Sequence, residues 1–134
     1  MKIAFTTREA GMDAPMDDRF GRAPYFVMVD TETGAAESEE NPNVSAGSGA
    51  GIGSAEFLSR RGVGAVITGN LGPKASRALM AAGIEAYRAS KPTVRENVDA
   101  YSRKELNSLS DPTVDEKSGM GRGTGRGRGR RRPL

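Results

Sequence analysis

The 134-residue chain has no cysteine, no histidine and no tryptophan. Without cysteine there is no disulfide, and without cysteine or histidine the chain lacks the side chains that normally hold zinc, copper and iron–sulfur centres. Metal chemistry therefore has to use oxygen ligands or a preassembled cofactor. A serine nucleophile activated by histidine is excluded by composition alone. Aromatic residues make up only 5% of the chain. No apolar run approaches the ~20 residues of a membrane span, and the opening MKIAFTTRE turns polar too soon for a signal peptide. These absences predict a cytoplasmic protein with no membrane contact.

What remains is polar and unevenly charged. Hydrophobic residues are 36% of the chain and glycine occurs 18 times, with a mean hydropathy of −0.55. The length suits one folded unit with part of the chain left unpacked. Residues 119–134, GMGRGTGRGRGRRRPL, hold six arginines (Arg122, Arg126, Arg128, Arg130, Arg131 and Arg132), six glycines and no acid. The rest of the chain carries 14 basic and 17 acidic side chains, so a body of −3 bears a tail of +6. The basic isoelectric point thus comes from an appendage and says nothing of a basic face on the fold. Glycine at nearly every second position makes the tail costly to order, and 119–134 is predicted to be disordered. Residues 103–118, with Pro112 and no sustained apolar stripe, read as a linker. A domain over 1–102 is left.

Within that domain Lys2 to Thr6 is a short apolar strand, followed by a long loop through Gly11, Pro15, Gly21 and Pro24. Tyr25 to Asp30 is apolar on both alternating sets, as for a strand covered on both faces. Thr31 to Gly34 has turn chemistry, and Ala35 to Glu40 returns as a strand whose Glu37, Glu39 and Glu40 suit a sheet edge. Ile52, Ala55 and Leu58 then give a helical face that Gly62 ends. A buried strand spans Val63 to Thr68. Ala75, Ala78, Leu79 and Ala82 mark a second helix stopped by Gly83, and Ile84 to Arg88 is the last strand. Thr93-Val94-Arg95-Glu96 fits a capping box opening a third helix, with Val94, Val98 and Tyr101 on its buried face. Antiparallel strands followed by two right-handed crossovers predict a three-layer α/β/α fold. Its mixed five-stranded sheet has order 3-2-1-4-5, a ribonuclease H-like topology. The connections change direction between the first and fourth strands, so a crevice lined by Thr6, Thr7, Thr68, Gly69 and Asn70 is expected at their carboxyl ends.

Two glycine-rich loops face that expected crevice. The run Gly47-Ser48-Gly49-Ala50-Gly51-Ile52-Gly53 enters the first helix, where backbone N–H groups free of side chains can converge on an anion. The same glycines also suit a tight loop and close helix packing. In Gly69-Asn70-Leu71-Gly72-Pro73-Lys74 the proline falls in a helical first turn, where it costs no hydrogen bond. Neither loop has the spacing of a dinucleotide fingerprint or a P-loop. Arg8, Arg19, Arg22 and Lys74 are available to add positive charge, the arginines with planar bidentate donors. A two-metal nuclease of this topology needs an acid on the first strand, and Ile3-Ala4-Phe5-Thr6-Thr7 has none. Asp13, Asp17 and Asp18 read as solvated loop acids.

The phrases RFGRAPYFVMVDTETG at Arg19 to Gly34, ENP at Glu40 to Pro42, GAGIGSAEFLSRRGVGAVITGNLGPKA at Gly49 to Ala75 and AAGIEAY at Ala81 to Tyr87 resemble the dinitrogenase iron-molybdenum cofactor biosynthesis family. The resemblance spans Met1 to Tyr101 and implies a ribonuclease H-like fold that binds or carries an anionic metal–sulfur cluster during cofactor assembly, without turnover. It also implies metallocluster-assembly proteins or an acceptor apo-protein as partners. Many relatives have histidine at the positions of Arg19, Ser48 or Asn70, and some have cysteine at those of Asn70 and Leu71. Serine and asparagine are hard oxygen donors and arginine only donates hydrogen bonds. An anionic molybdenum- or iron-sulfur cluster is therefore expected to be held without Cys or His ligands, by Thr6, Thr7, Arg19, Arg22, Ser48, Gly49, Gly51, Gly69, Asn70, Gly72 and Lys74. The alternative function is an interaction protein without a cluster, whose tail arginines bind nucleic acid or acidic partners.

Overall fold

The computed structural model describes residues 1–46 and 49–109. The expectations for Ser48, for the six tail arginines and for the linker beyond residue 109 lie outside the described residues. Five strands and three helices follow one another: β1 (Lys2–Thr7), β2 (Tyr25–Asp30), β3 (Ala36–Glu40), α1 (Ala50–Arg60), β4 (Val63–Thr68), α2 (Pro73–Ala81), β5 (Glu85–Arg88) and α3 (Val94–Ser102). The sheet order is β3-β2-β1-β4-β5. β1 pairs antiparallel with β2 and parallel with β4, so the predicted mixed sheet is observed with its expected order.

Alternation along the central strands divides the core in two. Ala4, Phe26, Met28 and Val66 face α1 and α2, where Ala55, Phe57, Leu58 and Leu79 meet them. Ile3, Phe5, Val27, Val29 and Ile67 point the other way, toward Val94 and Ala100 of α3. Phe5 and Phe26 are fully buried, and each such ring contributes roughly 1.5–3 kcal/mol through burial. At the β3 edge, Glu39 accepts two bonds from Arg61, at 2.7 and 2.8 Å. That guanidinium holds the Glu39 carboxyl below its usual range and stacks 4.4 Å over the Phe57 ring.

Two local expectations are corrected. The buried face of α3 is Val94, Asn97 and Ala100, whereas Val98 and Tyr101 are only partly covered at its flank. Thr93 caps α3 by accepting the Glu96 N–H, but the Glu96 carboxylate accepts a hydrogen bond from the Thr93 hydroxyl at 2.9 Å instead of from a backbone N–H.

The boundary expected at residue 102 also falls short of the packed chain. Leu106 and Leu109 are buried, and residues 107–109 run along the outer edge of β5, with Arg88 N donating to Asn107 O and Leu109 N to Ala86 O. Backbone pairing at a sheet edge needs no apolar stripe, which is why the composition of this stretch resembled a linker.

All three helices close on a residue in left-handed conformation. These are Gly62 after α1 (φ 75°), Gly83 after α2 (φ 74°) and Lys104 after α3 (φ 61°).

Candidate functional site

The carboxyl ends of β1 and β4 are not open. Thr6, Thr7 and Thr68 are each fully buried, because residues 15–19 fold back across the strand ends. Asp17 N donates to Thr6 O at 2.8 Å and Asn70 N to Asp18 O at 2.7 Å. Thr6 Oγ1 donates to Asp17 O and is hydrogen-bonded to Thr68 Oγ1 at 2.8 Å. Thr7 Oγ1 donates to Glu9 O. Gly69 is likewise covered, since a Cβ there would lie 2.5 Å from the Asp18 carboxylate. The expectation that Thr6, Thr7, Thr68 and Gly69 line a ligand crevice is therefore corrected: Thr6 bonds the returning loop and the Thr68 hydroxyl, Thr7 bonds Glu9 O, and Gly69 O accepts from Arg88 Nη1.

That loop also explains Asp17 and Arg19. Asp17 is not a solvated acid; it is 2% exposed and accepts the Arg19 N–H, Nε and Nη2 at 2.7–3.0 Å. The Arg19 guanidinium holds the Asp17 carboxyl below its usual range. Two of the guanidinium nitrogens are thus committed to Asp17 while the side chain stays 64% exposed. Asp13 pairs with Arg95. Among the described residues no group of three or more acidic side chains is placed to hold a metal ion.

An open groove of about 460 Å³ lies beside the covered strand ends, between the amino termini of α1 and α2. Arg22, Gly51, Asn70, Gly72 and Lys74 line it, together with Phe20, Gly21, Ala50, Pro73 and Ala75. Gly49, which is not in the lining, is the N-cap of α1 with φ 76°, and Gly72 is the N-cap of α2; neither offers a side-chain cap. The first intrahelical bonds are Gly53 N to Gly49 O and Ser76 N to Gly72 O, both 2.9 Å. The amides of Ala50, Gly51 and Ile52, and of Lys74 and Ala75, precede these bonds and have no acceptor within their helices. Two positive helix ends meet in one groove, where an anion is favoured.

Close backbone approach builds this geometry. A Cβ on Gly51 would lie 2.9 Å from Ala75 Cβ, so glycine lets α1 and α2 touch. A Cβ on Gly21 would lie 2.8 Å from Gly51 N and 3.0 Å from Ala50 C, so glycine also brings the 20–22 loop against the first turn of α1. Asn41, buried, holds that loop by donating to Gly21 O and Ala23 O, and accepts from Asn43 N and Ser54 Oγ. Arg22 reaches the carbonyls of Val44 and Ala46. Lys74 is exposed at the rim. Among the described residues none in the lining is acidic.

A family profile described as dinitrogenase iron-molybdenum cofactor matches residues 1–104. The chain belongs to that family. It is similar to the orange protein of Desulfovibrio gigas, solved in its apo form, with 39% identity and a TM-score of 0.80 over 84% of this chain and 95% of that one. A Thermotoga protein described as a NifB protein gives 34% identity and a TM-score of 0.75 over 86% of this chain and 98% of its own. An uncharacterised protein of Methanocaldococcus jannaschii is 30% identical over 97 residues, 70% of this chain and 82% of that one. Among the described residues no helix is long and apolar enough to cross a membrane.

Proposed function

We propose that the protein is a carrier that holds an intact anionic molybdenum–sulfur or iron–sulfur unit, its cargo, in the groove between α1 and α2 and passes it on without chemical turnover. The observation that carries this reading is the convergence of two helix amino termini with glycine N-caps on a groove that, among the described residues, has no acidic lining. Backbone amides and cations cannot ligate a bare metal ion, but they suit the outer sulfides or oxo groups of a preassembled anion through charge-assisted hydrogen bonds. Membership of a family named for an iron-molybdenum cofactor supports such a cargo, and so does similarity to a protein named for its colour and solved in an apo form. Cofactor-assembly proteins that load the groove, and an acceptor apo-protein that empties it, are the partners this role requires.

The roles divide by position. Gly49, Gly51, Gly72 and Lys74 supply amides and charge at the groove, with Arg22 and Asn70 on its wall. Arg19 stands outside the lining, beside Asn70, and offers its uncommitted donors at the approach. Titrating the protein with tetrathiomolybdate is expected to shift the amide resonances of residues 49–53 and 72–75. Lys74→Glu is expected to weaken binding about tenfold or more by placing a like charge at the rim. Shifts scattered over the surface, or none at high excess, would overturn the carrier reading.

The second reading is an interaction protein without a cluster, whose arginine-glycine tail binds nucleic acid or acidic partners. With six arginines and no acid in 119–134, full engagement with phosphates would lower log K by about five units per decade of salt. A chain ending at Ser118 is then expected to lose that salt-dependent RNA binding. Equal RNA binding with and without the tail would remove it from the function.

A further inference from the structure

The face of the sheet opposite the groove carries a second cavity, of about 410 Å³, lined by Tyr87, Tyr101, Ser102, Lys104 and Leu106. The two tyrosine rings meet edge to face with centroids 5.4 Å apart, and Leu106 is buried beside them. At one end the Tyr87 hydroxyl donates to Glu85 at 2.9 Å, which places a carboxylate there. Lys104 is the basic residue of the lining. The lining is aromatic and aliphatic with a few polar groups, the usual make-up of a small-molecule site.

Lys104 is the informative residue. After α2, Gly83 N donates to Met80 O and Ile84 N to Leu79 O; after α3, Lys104 N donates to Tyr101 O and Glu105 N to Ala100 O. The two helix ends are built alike, and in both the turning residue is left-handed. Glycine adopts that conformation without the penalty a Cβ brings, and α1 and α2 both use it. Among the described residues Lys104 alone has a side chain at positive φ. The chain accepts this strain at a helix end that borders an aromatic cavity.

From this the geometry points to a second ligand site, in which a small planar aromatic anion lies against Tyr87, Tyr101 and Leu106 with its negative end toward Lys104 and away from Glu85. The site shares no lining residue with the α1–α2 groove and does not rest on the carrier role.

The test uses 2-naphthoate and its neutral analogue 2-naphthol, followed through amide resonances of the full chain. Both probes are expected to shift residues 85–88 and 101–107 at concentrations on the order of millimolar. Lys104→Gly relieves the strain while removing the charge, so its thermal midpoint is expected to equal or exceed that of the parent. Naphthoate affinity should fall about fivefold, the worth of one partly exposed charge pair, with naphthol unchanged. Lys104→Gln, which keeps the side-chain length, should show the same selective loss. Absence of localised shifts with the parent protein, or equal weakening of both probes in the variants, would overturn the proposal.

Discussion

Replacing Gly21 by alanine is expected to abolish tetrathiomolybdate binding at the groove and to lower the stability of the apo-protein by about 1–3 kcal/mol. The added methyl would lie 2.8 Å from Gly51 N, 3.0 Å from Ala50 C and 3.1 Å from Gly51 Cα, all backbone atoms. No rotamer change can relieve contacts with backbone. Helix α1 has little freedom to retreat, because Gly51 already sits where a Cβ would touch Ala75 Cβ at 2.9 Å. The 20–22 loop must therefore lift, and it carries Phe20 and Arg22 out of the groove wall as it pulls on the Asn41 bonds to Gly21 O and Ala23 O. Gly72→Ala is the control for stability. Its Cβ would meet nothing within 4 Å and its φ of −75° suits any residue, so the cost should stay under about 1 kcal/mol, the scale of a lost glycine N-cap. Urea denaturation measures the stabilities and resonance titration the affinities. Wild-type affinity and stability in Gly21→Ala would show that the loop is not part of the binding geometry.

The contrast between these glycines marks what could be read from the sequence. β2 (Tyr25–Asp30) and β4 (Val63–Thr68) have the bounds their apolar runs predict, since strands buried on both faces leave an unbroken signal. The starts of α1 and α2 were legible because glycine and proline mark helix entries, and Gly51, Gly72 and Lys74 accordingly line the groove. The crevice was misplaced for a physical reason. Residues 8–24 have no periodicity, and nothing local says that Asp17 and Asp18 return across β1 and β4 to take the Thr6 and Asn70 hydrogen bonds. Backbone contacts of this kind belong to long-range geometry. Gly21 was equally opaque: its role is defined by the atoms of α1 that it approaches, which a loop glycine does not announce.

Asn97→Ala should have the largest effect on folding, a loss of about 3–5 kcal/mol, because it opens a cavity and orphans several buried polar groups at once. Asn97 is fully buried, although an asparagine in a polar helix gives no sign of that in sequence. Its Oδ1 accepts the amides of Ser90 and Lys91, both at 3.1 Å, and its Nδ2 donates to Lys91 O at 2.9 Å and Thr93 O at 2.7 Å. Two lone pairs and two N–H groups are all in use, the full capacity of a carboxamide. The turn it holds is not isolated, for Met16 N donates to Pro92 O and Val94 N to Ala14 O. Loosening residues 90–93 thus loosens the 14–17 loop that covers Thr6 and Thr68. At roughly 4–8 °C per kcal/mol for a domain of this size, the midpoint of thermal unfolding should drop by more than about 10 °C. Groove affinity, measured well below that midpoint, should change little, because α1 and α2 pack on the other half of the core. A loss under about 1 kcal/mol would mean that the turn is held mainly by its backbone bonds to residues 14 and 16. A parallel collapse of affinity would mean instead that the two faces of the sheet are coupled.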